Sequence, residues 1–174
     1  MNQNDHIIHG IEAKKTGGTG EQENKVRCLT MSFLSYKMLI PSVSVAEVAE
    51  SGKIEPQLGA PEWFGGTMQW RGQEVPVVVL EKVMNTNASK PGQYRRMLIL
   101  NAPGNKGCAP FIALGCQSIP SVALIEEENV AVTDVDSQIA VYIKLAGETY
   151  IIPKVESFEK IVSNVMKNLA IRNN

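Results

Sequence analysis

The chain has 174 residues, 44% of them hydrophobic and 6% aromatic, with 17 lysines and arginines against 18 aspartates and glutamates, a net charge of −1. A chain of this length buries about 70% of the surface that its unfolded form exposes, so a hydrophobic core alone can hold it. The balanced charge argues against a protein that grips phosphate backbones, which calls for a clustered basic excess, and no nucleic acid is expected as a partner.

Residues 1–24 hold Gly17-Gly18-Thr19-Gly20 and scattered polar residues with little to bury, and read as a disordered tail. Both histidines, His6 and His9, lie there. Their H-x-x-H spacing suits a metal on a helix, but two ligands on a floppy tail make a weak site, and no metal is expected. From Val26 the pattern turns to strands: Leu29, Met31 and Phe33 alternate with Thr30 and Ser32, and a turn near Ser35-Tyr36-Lys37 leads into Met38-Leu39-Ile40. Pro41-Ser42 then predicts a short helix ended by Ser51-Gly52, with Val45 and Val48 on one side. Ser44-x-x-Glu47 has capping-box spacing, so Glu47 either reaches back to the Ser44 amide or faces a partner.

The central stretch 60–80 organises the rest. Gly65-Gly66 supplies backbone freedom, and Met68 and Trp70 alternate with Thr67 and Gln69 as in a half-buried strand. Arg71-Gly72-Gln73-Glu74 reads as a turn, and Val75 to Leu80 as the returning strand. Pro76 cannot donate to a ladder, which predicts an edge or a barrel seam there. A helical turn is expected over 81–85 and a loop over 85–92. Strands follow over 94–101, 110–114, 121–125 and 130–133, then a hairpin of 139–145 and 150–152 around Ala146-Gly147-Glu148. Val155, Phe158, Ile161, Val162, Val165, Met166 and Leu169 recur at three- and four-residue steps, an amphipathic helix suited to covering a barrel seam. Many short strands and one long helix make a mainly β, barrel-like protein.

Few residues here carry chemistry. Cys28, Cys108 and Cys116 lie far apart and outside C-x-x-C spacing, so neither a disulfide framework nor a zinc site is expected. There is no basic-then-apolar N-terminal pattern, and no apolar run nears the ~20 residues of a membrane helix. A reducing, cytoplasmic setting without membrane insertion is the expectation. An enzyme reading would use Cys108 or Cys116 as nucleophile, yet the part expected to fold has no histidine to serve as base. Phosphate-cradling glycine motifs are missing too, so no cofactor is expected. Asp134 and Asp136 resemble the start of a calcium loop but lack its glycine and distal glutamate. Glu126-Glu127-Glu128 reads as a solvated loop or a strand edge protected by charge. Trp63 and Phe64 either line a partner groove or, as aromatics more often do, fill a core.

The central stretch resembles the CheW-like domain of bacterial chemosensory systems. The resemblance rests on Pro61, Trp63-Phe64, Gly66, Arg71-Gly72 and Pro76-Val77, closing at Leu80, with Ile40-Pro41 and Val45-Ala46-Glu47-Val48 upstream and the final hairpin and helix downstream. It covers roughly Val26 to the end, giving a CheW-like domain over 25–171. It implies two small five-stranded SH3-like barrels packed together and a C-terminal amphipathic helix. It also implies a non-catalytic adaptor that joins the cytoplasmic tips of methyl-accepting chemoreceptors to a CheA-type histidine kinase, recruited to membrane receptor arrays. By position, Val45, Glu47, Val48, Arg71 and Gly72 become the receptor-binding residues. Gly65 stands where a lysine is usual, Gln69-Trp70 where Asn-Leu is usual, and Val79 where an aspartate is usual, and Gly115-Cys116-Gln117 lies where an acidic residue is typical. In these the chain looks more like the auxiliary adaptors of type IV pilus (twitching motility) clusters, the ChpC type. The alternative within the family is a variant that binds receptors without engaging the kinase.

Overall fold

A computed structural model describes residues 25–33, 36–84, 94–104, 109–134 and 138–172. The tail 1–24, the loop 85–92, Cys108 and Asp136 lie outside the described residues, and so does the side chain of Asp134. Among the described residues, twelve strands form two six-stranded sheets. The first sheet takes β1 (Lys25–Phe33), β2 (Tyr36–Pro41), β9 (Ser121–Glu126), β10 (Ala131–Asp134), β11 (Ala140–Leu145) and β12 (Glu148–Pro153), in the order β10-β11-β12-β2-β1-β9. The second takes β3 (Val45–Glu50), β4 (Ile54–Glu55), β5 (Phe64–Trp70), β6 (Gln73–Val78), β7 (Arg96–Asn101) and β8 (Phe111–Cys116), in the order β3-β7-β8-β6-β5-β4. Two helices complete the fold: the single turn α1 (Leu80–Val83) and the long α2 (Val155–Arg172).

In each sheet the two outermost strands are consecutive in the chain, and this makes the sheets curl. Residues 51–53 join β3 to β4, a link that reaches at most about 14 Å. The outer strands of a flat six-stranded sheet would lie about 24 Å apart. Residues 127–130 join β9 to β10 under the same constraint. Both sheets therefore bend towards closure, as two barrels, each with one strand more than the expected five.

Side-chain alternation divides the apolar residues among three cores. Met97 and Ile99 point into the second barrel with Met68, Val75, Val77 and Ala113. Leu98 and Leu100, on the other face of the same strand, join Met38, Ile40, Ile112, Leu114 and Ile151 between the two sheets. Cys28, Leu39, Val141 and Ile143 fill the first barrel. Strand β7 is thus buried on both faces, which is why it reads as an unbroken apolar run.

α2 lies over the core between the sheets instead of the expected seam, with Phe158 and Val162 fully buried in it. It is tied to both sheets. The Ser157 hydroxyl donates to the Gln138 carbonyl at 2.6 Å, just before β11, and the Gly104 amide, just after β7, donates to Glu159 Oε1 at 3.2 Å.

The helix expected after Pro41 is not there. Ser42–Ser44 form one tight 3-10 turn, and Val45–Glu50 is a strand paired to β7. Glu47, being in a strand, caps no helix. A bulge explains the misleading spacing: Val45 faces Leu100 and Val48 faces Leu98, with the extra residue between Val45 and Glu47. Residues three apart thereby share one face of a strand, as they would in a helix. β6 lies between β5 and β8, but its ladder to β8 covers Val77 and Val78 only. The strand therefore starts with that side unpaired, and Pro76 lies one residue before the ladder, as the expected edge start allows. Trp63 and Phe64 meet edge to face at 6.0 Å and pack into the core between the sheets, which decides against the groove.

Candidate partner-binding site at the tip of the central hairpin

The β5–β6 hairpin turns through two residues, with Trp70 directly opposite Gln73. The expected four-residue turn is therefore shorter, and Gln73-Glu74 already belong to β6. Arg71 has φ +48° and Gly72 φ +74°, the two left-handed residues of a type I′ turn. Glycine takes that backbone without cost, whereas an arginine does so at about 1–2 kcal/mol. An added Cβ on Gly72 would meet nothing within 4 Å, so it is the backbone angle that calls for glycine there.

What surrounds Arg71 comes from three separate strands. Arg71 Nη2 lies 2.7 Å from Glu47 Oε2, and Trp70 Nε1 donates to the same oxygen at 3.2 Å. The Arg71 guanidinium stands 5.2 Å from the Trp70 ring centroid, within cation–π range. Behind the indole, Phe111 of β8 makes an edge contact with centroids 4.9 Å apart and an interplanar angle of 69°. The outer layer is open: the Arg71 side chain is 70% exposed and that of Glu47 34%.

The β3 bulge makes this arrangement possible. In an unbulged register Glu47 would oppose Leu98 and face the core between the sheets. The extra residue sets Glu47 opposite Ile99 instead, on the face of the second barrel that carries Trp70 and Phe111. A second bulge, between Phe64 and Gly66, precedes Met68 and Trp70. Gly66 there has φ +122°, and an added Cβ would lie 2.1 Å from the Glu55 carbonyl oxygen. The site is thus set by two bulges and one turn.

Of the five residues singled out in the sequence, Glu47, Arg71 and Gly72 come together. Val48 lies on the opposite face of β3 from Glu47 and is 37% exposed. Val45 packs against the core between the sheets. Two members of the cluster, Trp70 and Phe111, are not among the five. Trp70 carried a signal, an indole immediately before the arginine where leucine is usual, but Phe111 is 40 positions further on and carried none.

Among the described residues, no nucleophile, acid–base pair or phosphate cradle adjoins Arg71, and no three His, Cys, Asp or Glu side chains converge as a metal site would need. Cys116, a candidate nucleophile, is buried between the sheets, with Sγ 3.4 Å from Met31 Sδ. Burial pushes its thiol up to about 12, and that of Cys28 to about 11, far from a reactive thiolate. Among the described residues, no helix is long and apolar enough to cross a membrane.

Comparison with known proteins agrees with this architecture. The model of the CheW-like domain matches residues 28–159. The crystal structure of the scaffolding protein TtCheW from Thermoanaerobacter tengcongensis superposes with a TM-score of 0.63 at 21% identity, covering 74% of this chain and 88% of that one. No curated protein matches this chain.

Proposed function

The chain belongs to the CheW-like domain family, and from that premise we propose that it is a non-catalytic adaptor of a bacterial chemosensory array. In this reading it couples the cytoplasmic tips of methyl-accepting chemoreceptors to a CheA-type histidine kinase. The observation that carries it is the Glu47–Arg71–Trp70 cluster: a forked donor held in place, open to solvent, with no reactive group beside it. Such an arginine contributes little while exposed and much when a partner desolvates it. Glu47, Arg71 and Gly72 form the receptor-facing centre, with Val48 part-exposed on the opposite face of the same strand and Val45 holding that strand to the core.

Two departures from the family pattern support the narrower placement with auxiliary adaptors of type IV pilus clusters. An added Cβ on Gly65 would lie 3.1 Å from Val79 Cγ2, so the two positions, where lysine and aspartate are usual, are neighbours in space. They read as a single paired change. The test is co-sedimentation with receptor cytoplasmic fragments and the kinase. Recovery of all three supports the adaptor, and recovery with the receptor alone identifies a variant that does not engage the kinase. Binding to neither overturns the proposal. Twitching motility in a deletion strain decides the pathway.

A further inference from the structure

We propose that Trp70 is a positioning residue: it holds the Glu47 carboxylate so that Arg71 is presented in one orientation to an acceptor-bearing segment of the partner. This rests on the receptor-binding reading for the partner, and on geometry alone for the positioning. An exposed Arg–Glu pair is by itself too weak to fix two long side chains. Here the pair has a third member. Indole nitrogen only donates, and Trp70 Nε1 donates to the Glu47 Oε2 that also receives Arg71 Nη2. The indole is in turn held by Phe111, which belongs to a strand in the middle of the second sheet.

Restraint therefore passes from β8 through Phe111 and Trp70 to Glu47, and from Glu47 to the arginine. The ring adds a second hold, since the guanidinium lies above its face. Side and face of the guanidinium are both occupied from within the molecule, and most of the Arg71 side chain remains open to solvent. Its remaining N–H groups suit carboxylate or main-chain carbonyl oxygens, such as an acidic helical segment would offer. Fixing the side chain beforehand lowers the entropy lost on binding.

The test has one arm that needs no partner and one that does. In the free protein, the Arg71 Nε–Hε group should be ordered by NMR relaxation in the wild type and mobile in Trp70→Phe. That variant keeps an aromatic ring against Phe111 and loses the N–H. The Trp70 indole N–H resonance should move in Glu47→Ala. An Arg71 that stays ordered in Trp70→Phe, or an indole resonance indifferent to Glu47, overturns the proposal.

In the second arm, Trp70→Phe should weaken binding of a receptor tip fragment by about three- to tenfold, and have no further effect in an Arg71→Ala background. An equal loss in both backgrounds would mean that Trp70 touches the partner itself, and would also overturn it. If the wild type binds no receptor fragment, the adaptor reading fails, and the first arm still decides the positioning.

Discussion

Replacing Arg71 by asparagine separates what the hairpin tip does for stability from what it does for binding. The turn needs φ above zero at both central residues, and Asn-Gly is the pair that adopts it most readily. Removing arginine from the left-handed region relieves about 1–2 kcal/mol. Against this, the substitution gives up an exposed ion pair, about 0.2–1 kcal/mol, and an exposed cation–π contact, about 0.5–1 kcal/mol. These nearly cancel, leaving a net change within about 1 kcal/mol and a Tm within about 3 °C of the wild type. Binding should behave otherwise, because a central interface arginine typically contributes 2 kcal/mol or more, about 30-fold in affinity. Calorimetry serves for both: scanning for Tm, and titration with a receptor cytoplasmic fragment for affinity. A fall in Tm beyond about 5 °C would show that the cluster is mainly structural, since the ion pair and the cation–π interaction, less the strain relieved, supply less than that. Unchanged affinity would remove Arg71 from the binding surface.

The hairpin between β11 and β12 offers a control, because Ala146 has φ +50° beside Gly147 at φ +81°. Ala146→Asn should raise Tm by about 1–4 °C with binding unaffected, and a lower Tm would contradict the strain argument. Gly66→Ala places a methyl group against the Glu55 backbone, so it should cost about 3 kcal/mol or more, or prevent folding; a near-native denaturation midpoint would refute the close approach. Glu81 is buried, and burial raises its carboxyl above the ordinary value. A carboxyl raised by folding binds its proton more tightly in the native state, so its contribution is full below the unfolded value and is lost as pH rises through the folded one. Glu81→Gln should therefore gain in Tm relative to wild type as pH rises from about 4 to 7, and a constant difference across that range would refute it.

Much of the fold was legible where burial follows a simple period. Leu29 and Met31, Met68 and Trp70, and the 155–169 apolar stripe declared their strands and helix because each presents one face to one core. β3 was misread because its bulge gives Val45 and Val48 a helical spacing, and a bulge leaves no mark in an isolated strand's composition. Pro76 marked the start of β6, where the ladder to β8 has not yet begun. The position of α2 depends on there being a core between two sheets, which is a property of packing and not of the helix. At the site, Arg71, Gly72 and Glu47 could be named by resemblance. Phe111 could not, since β8 reaches the neighbourhood of Trp70 only through a curled sheet in which β6 lies between their strands.

Strands β1, β2 and β9 to β12 share one barrel while β3 to β8 build the other, and this bears on how the molecule assembles during synthesis. A nascent chain emerged as far as Cys116 already carries every strand of the second sheet, yet owns only the β1–β2 hairpin of the first. The parallel partner of β2 is β12, more than a hundred residues later. That hairpin therefore waits with one flank unpaired until β12 has been made, and contacts so distant in sequence form slowly. The tip carrying Arg71 belongs to the half that finishes first, so a truncated product could still display it on a half-built molecule.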